Sequence, residues 1–244
     1  TNAHPKECEK ILNKWADSVW DIGAAFGTVA GKKGDITVEI TTYRSESYEL
    51  DSRKPNVEFG KTIEADLSRR DFTINAMALE LTTDEPTFID LFNGVVDLQK
   101  KIIKTPGKPE DSFSDDPLRM MRAARFMSQL NFEVDQSVLV AIKNMAARLE
   151  IISAERIRDE FIKIMMSQSP RLGITLLVET GLADHFLPEV PKLKLEIDEH
   201  HHHKDVYEHS LTVLEQAIAL EDRLAGPNLT LRLAALLHDI GKPK

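Results

Sequence analysis

The hydrophobic rhythm of the chain changes near residue 105, and that change limits what it can fold into. Beyond residue 113 helix signals follow one another almost without a break. Before residue 104 helix and strand signals are mixed. "ITVEITTY" (36–43) alternates, with Ile36, Val38 and Ile40 on one face and Thr37, Glu39 and Thr41 on the other. "AFGTVAG" reads as its partner strand and "KKGD" as the turn between them. "YRSESYELDSRKPNVEFGKT" reads as a polar loop, and "TFIDLFNGVVDLQKKII" as a short strand and turn. The expected class is α+β: a mixed sheet with helices, then an all-α region.

In the later part, "SDDPLRMMRAARFMSQL" offers a serine cap, two acids and a proline in its first turn. "SAERIRDEFIKIMM" predicts a helix burying Ile157, Phe161, Ile164 and Met165. "SPRLGITLLVETG" predicts another, closed by Gly181. "FLPEVPKLK" (186–194), with two prolines, reads as a linker. Two further helices are expected in "HHHHKDVYEHSLTVLEQAIAL" and "NLTLRLAALLHDIGKPK".

Composition excludes some functions. The net charge of −9 argues against binding nucleic acid through bulk electrostatics, so any such contact must use local clusters. Cys8 is the one cysteine, so no disulfide can form within the chain, which suits a reducing cytosol. No apolar run reaches the roughly 20 residues that span a bilayer, and the opening "TNAHPKECEK" is polar. A cytoplasmic protein with no membrane partner is expected.

Two charged stretches carry chemistry. In "SRRDFTINAMA" (68–78) the spacing of Ile74, Met77, Ala78 and Leu81 predicts a half-buried helix, capped by Ser68 or Asp66. Arg69, Arg70 and Asp71 would then crowd its first turn, where the helix dipole disfavours cations. In the second stretch, Asp115, Asp116, Arg119 and Arg122 would share one helical face. Such a quartet is commonly a solvated ion-pair face. It also has the chemistry of a base reader. A carboxylate accepts and a guanidinium donates, which suits cytosine and adenine, each with an amine beside ring acceptors, and rejects guanine and uracil.

"SRRDFTINAMA", "SDDPLRMMRAARF" and "SAERIRDEF", in this order, resemble the class II tRNA nucleotidyltransferases, the CCA-adding enzymes and bacterial poly(A) polymerases. The tail "HKDVYEHSLTVLEQ…LLHDIGK" resembles the start of an HD-type domain, as in actinobacterial-type members. The resemblance implies a palm over 1–104, a helical neck and body over 105–190 that binds nucleotide and RNA, and part of an HD-type domain over 191–244. It implies template-independent addition of CCA to the tRNA 3′ acceptor end from CTP and ATP, with poly(A) synthesis as the alternative. Arg69, Arg70 and Asp71 would hold the nucleotide's phosphates and ribose, supported by Asn75. Asp116 and Arg119 would read the base, with Arg122, Arg156 and Arg158 lining the same neck. Asp115 stands where the family more often has glutamate.

Glu39 would be one catalytic carboxylate for Mg²⁺. The family's other two come from a Gly-Gly…Asp-x-Asp element that would precede "TNAHP", so this stretch by itself is expected to be inactive. His209, His238 and Asp239 match three ligands of an HD-type site for a divalent transition metal, and the fourth would follow Lys244. That incomplete site leaves a metal-dependent phosphohydrolase, or a non-catalytic nucleotide- or tRNA-binding module, as other readings. His200 to His203 read as native, either metal contacts or solvated loop.

Overall fold

The structure is a computed structural model that describes residues 1–23, 27–47, 56–60, 62–82, 84–195 and 205–242, with the side chains of 22–23, 44–47 and 56–59 left aside. The histidine run 200–203 lies outside the described residues. The chain divides into two compact units. One comprises 1–96 with 105–108, the other 97–104 with 109–244.

The first unit opens on helix α1 (Pro5–Trp15), started by proline in its first turn and by a capping box between His4 and Glu7. Strands β1 (Ser18–Gly23), β2 (Thr28–Lys33) and β3 (Ile36–Thr41) form an antiparallel sheet in that order. Gly34, the first residue of the two-residue β2–β3 loop, takes φ +55°, which glycine adopts at no steric cost. Val29 lies opposite Ile40, and Ala30 opposite Glu39. The face bearing Val19, Val29 and Ile40 receives Cys8, Leu12 and Trp15 of α1, and Gly31 lets Leu12 and Ala16 approach closely. Glu39 belongs to the opposite face and is exposed.

The rest of this unit departs from the sequence reading. The "polar loop" contains strands β4 (Arg44–Ser47) and β5 (Asn56–Phe59), paired antiparallel. The helix predicted from Ser68 is not there. Helix α2 (Ile63–Ser68), capped by Thr62, ends where that helix was to begin. A 3₁₀ turn (Thr73–Asn75) follows, then strand β6 (Met77–Glu80) paired antiparallel with β7 (Thr87–Asp90). The described strands of this unit therefore pair antiparallel. After β7 comes helix α3 (Gly94–Lys100) rather than a turn, its first amides bonded to the Asp90 carboxylate at 2.7 and 3.0 Å.

Among the described residues the second unit is mainly helical, with a short parallel pairing of β8 (Ile102–Ile103) and β9 (Glu133–Val134). Helices α4 (Pro109–Asp115) and α5 (Leu118–Leu130) meet at Asp116-Pro117. Ser114 and Asp115 thus end one helix instead of starting the next, and Asp116 Oδ1 accepts from the Leu118 amide at 3.1 Å. Asn131, at φ +55°, closes α5. Then come α6 (Gln136–Met145), α7 (Ala154–Met165) and α8 (Pro170–Glu179), the last closed by Gly181 at φ +79°. On α7, Ile157, Glu160, Ile164 and Met165 are buried.

The "linker" 186–194 is packed structure: α9 (Glu189–Lys192) and a 3₁₀ turn bury Val190 and Leu193 at 1% and 0% exposure. Helices α10 (Val206–Ala219) and α11 (Leu229–Leu237) are capped by Asp205 and Asn228. The Arg232 fork meets the Glu221 carboxylate at 2.7 and 2.6 Å and also donates to the Met165 and Ser167 carbonyls, tying α11 to the end of α7. That fork holds the Glu221 carboxyl below its ordinary range. Among the described residues no helix is long and apolar enough to cross a membrane.

Candidate nucleotide and metal sites

In the first unit, Asp66 sits at the heart of the arginine motif. It is 3% exposed. Arg69 Nη2 donates to Oδ1 at 2.7 Å, and Arg70 donates to Oδ2 through Nε and Nη2 at 3.2 and 2.8 Å. Burial alone would push this carboxyl up, but the two arginines outweigh it and hold it below its ordinary value of 3.8. Asp66 thereby fixes both guanidinium groups, with Arg70 still 45% exposed. Asp71 is buried, and its Oδ1 accepts from the Phe72 amide at 2.9 Å and from Asn75 Nδ2 at 3.1 Å. The expected Asp71–Asn75 contact is present, made across a 3₁₀ turn. Asp66 was visible in the sequence only as a possible cap. Its i+3 and i+4 spacing to Arg69 and Arg70 was the signal for its true partners.

In the second unit, Asp116 Oδ2 accepts from Arg156 Nη2 at 2.9 Å, joining the start of α7 to the α4–α5 corner. Arg119 is 9% exposed, and its Nη1 donates to Ser112 Oγ at 2.9 Å. Arg122 lies 5.7 Å from the Phe126 ring centre. Arg158 is the residue that does not join this group. Two positions past Arg156 it is rotated about 200° around the helix, where it pairs with Asp159 at 2.7 Å and lines a separate cleft.

His209 on α10 and His238-Asp239 after α11 bring one ligand atom each within 4.8 Å of one another. The imidazoles meet edge to face at 5.2 Å between centres. His238 Nδ1 lies 2.8 Å from the Ala235 carbonyl, and its Nε2 lies 3.2 Å from Asp239 Oδ2. Lys242 Nζ sits 2.9 Å from Asp239 Oδ2, a cation beside the carboxylate where a metal would compete with it. Two imidazoles and a carboxylate suit a divalent transition metal. Among the described residues Glu39 belongs to no group of three metal-ligating side chains.

Residues 1–104 match the family model of the Poly A polymerase head domain. Residues 131–193 match that of a probable RNA and SrmB-binding site of polymerase A, and residues 206–244 that of the HD domain. The chain belongs to the CCA-adding and poly(A) polymerase family. It is 38% identical to the CCA-adding enzyme of Ligilactobacillus salivarius over 226 residues, 91% of this chain and 54% of that one. To the CCA-adding enzyme of Limosilactobacillus reuteri (strain DSM 20016) it is 44% identical over 183 residues, 75% of this chain and 44% of that one. Among solved structures it resembles the Bacillus stearothermophilus CCA-adding enzyme in complex with CTP, with a TM-score of 0.70 and 30% identity. That likeness covers 96% of this chain and 55% of the other. The chain thus spans about half the length of the relatives it matches. Nucleotidyltransferase and HD domains generally use divalent metals.

Proposed function

We propose that the protein to which this chain belongs adds CCA to tRNA 3′ ends from CTP and ATP. The observation that carries this reading is the Asp116–Arg156 pair, 2.9 Å apart and partly exposed at the α4–α5 corner. An amine of cytosine or adenine competes for the Asp116 carboxylate that Arg156 now occupies, and the freed guanidinium meets a ring acceptor. Guanine and uracil would set a carbonyl against the carboxylate, an uncompensated repulsion in a partly desolvated site. Arg119 and Arg122 flank the corner from α5. Within the first unit, taken by itself, Arg70, half exposed and oriented by Asp66, suits a nucleotide phosphate, and Asp71 with Asn75 suits a ribose hydroxyl.

Mg²⁺, if bound, would supply charge stabilisation to the phosphoryl transfer. From this chain Glu39 would contribute one ligand. A single carboxylate fits as a contributor to such a site, not as the whole of it. The experiment is incubation of the whole protein with tRNA lacking CCA and with CTP or ATP alone. Incorporation of CTP is the expected outcome. Repeated ATP addition without CTP would replace this reading with poly(A) synthesis. The His209, His238 and Asp239 cluster favours a second, separate activity, metal-dependent phosphate release from nucleotides, which His238→Ala would abolish.

A further inference from the structure

Arg158, set apart from the nucleotide corner, opens onto a cleft of about 400 Å³ within the helical unit. Its floor is apolar, with Leu149, Ile157, Phe161 and Phe186 among the lining residues, and the two phenylalanine rings meet edge to face at 5.5 Å. Arg158 and His185 line the same cleft. Arg158 is held by Asp159 at 2.7 Å, and His185 Nδ1 lies 3.0 Å from Glu150. Both carboxylates are exposed, at 55% and 68%. Exposed pairs of this kind contribute little and break readily.

We infer that this cleft seats one unstacked nucleotide of an RNA strand, its base on the Phe161–Phe186 floor and its phosphate on Arg158 and His185. The inference rests on the tRNA reading above and adds a site to it. The volume lies in the range of pockets that enclose a small ligand and is too small for a duplex. Unstacked bases are what RNA-binding surfaces take up on aromatic side chains. A phosphodiester can displace Asp159 and Glu150 from their partners, which apolar or neutral occupants cannot do. With a net charge of −9 the chain has little general attraction for RNA, so affinity must come from local combinations of cation and ring such as this one. The cleft, residues 149–187, also falls inside the segment matching the RNA-binding family model.

The test uses the whole chain and a fluorescent minihelix of a tRNA acceptor stem and T arm with a single-stranded 3′ end. Arg158→Glu, an exposed change, is expected to weaken binding about tenfold and to lower the slope of log affinity against log salt by about one. Phe186→Leu keeps the apolar volume and removes the ring. It is expected to weaken binding about fivefold with CTP binding unchanged. Glu150→Gln is expected to tighten binding about twofold by releasing His185, a gain that a structural role would not produce. Wild-type affinity in Arg158→Glu and Phe186→Leu would overturn the inference while leaving the tRNA reading intact, and would assign the cleft to a protein segment or small molecule. No minihelix binding by the wild-type chain would overturn the inference, whereas CTP incorporation by the whole protein decides the tRNA reading separately.

Discussion

Asp66 shows how one buried carboxylate can order the arginines of a candidate site. With both oxygens bonded to Arg69 and Arg70, it stiffens two long side chains, which would lower the ordering cost of the proposed nucleotide contact. The arrangement has a pH signature. The folded carboxyl lies below its ordinary value of 3.8, so the folded state holds the proton less tightly than the unfolded chain. Its contribution to stability is complete above that value and is lost as pH falls through the folded one. Asp66→Asn is therefore expected to lower the denaturant midpoint clearly at pH 7 and much less near pH 2. A variant equally destabilised at both pH values would show that packing, not the charge pair, is what Asp66 supplies. The same residue removes the apparent conflict in "SRRDFTINAMA". Arg69 is the C-cap of α2, and Arg70 follows it. Cations at a helix C-terminus are favoured by the dipole that would oppose them at an N-terminus.

At the scale of elements, alternation in 36–43 and the long periodic stripes after residue 113 were legible because burial of one face dictates their period. The β2–β3 pairing, α7, α8, α10 and α11 all follow from them. Short elements were not. Ile74, Met77, Ala78 and Leu81 satisfy helical spacing, yet Met77–Glu80 pairs with Thr87–Asp90, and a four-residue strand is too short for its period to oppose a helical match. Arg44–Ser47 and Asn56–Phe59 are polar enough to read as loop, and only their pairing partner makes them strands. Asp116 and its neighbours were legible only as a candidate site, and Arg156 as the partner of Asp116 was not, because forty positions of chain separate them. Close contact between elements was equally hidden. A Cβ on Gly173 would collide with Ser128 Oγ and lie 2.8 Å from the Ala124 carbonyl and 2.9 Å from Ile164 Cγ2. Helix α8 can approach α5 there only through glycine. Gly173→Ala, although it raises helix propensity, is expected to destabilise the helical unit by about 1–3 kcal/mol through overpacking. Thermal unfolding followed by circular dichroism checks this, and a stabilised variant would contradict it.

At the scale of the molecule, the two units carry separate reporters. Trp15 and Trp20 both lie in the first, while most of the helix lies in the second, which also holds His209, His238 and Asp239. A metal that binds only the folded cluster stabilises it by mass action, about 2.7 kcal/mol when present at a hundred times its dissociation constant. Adding Co²⁺ is therefore expected to raise the melting midpoint seen by far-ultraviolet circular dichroism. His238→Ala should abolish the rise, and Lys242→Ala should reach it at lower Co²⁺, because Lys242 no longer competes for Asp239. The tryptophan trace then measures how the units communicate. If they unfold independently, its midpoint stays where it was while the dichroism midpoint climbs. A shared rise makes the chain one cooperative body, since a ligand bound in one unit can move the other's transition only through a coupling free energy between them. Co²⁺ that moves neither midpoint would mean that three of these side chains, gathered within 4.8 Å, do not hold a metal without a further ligand.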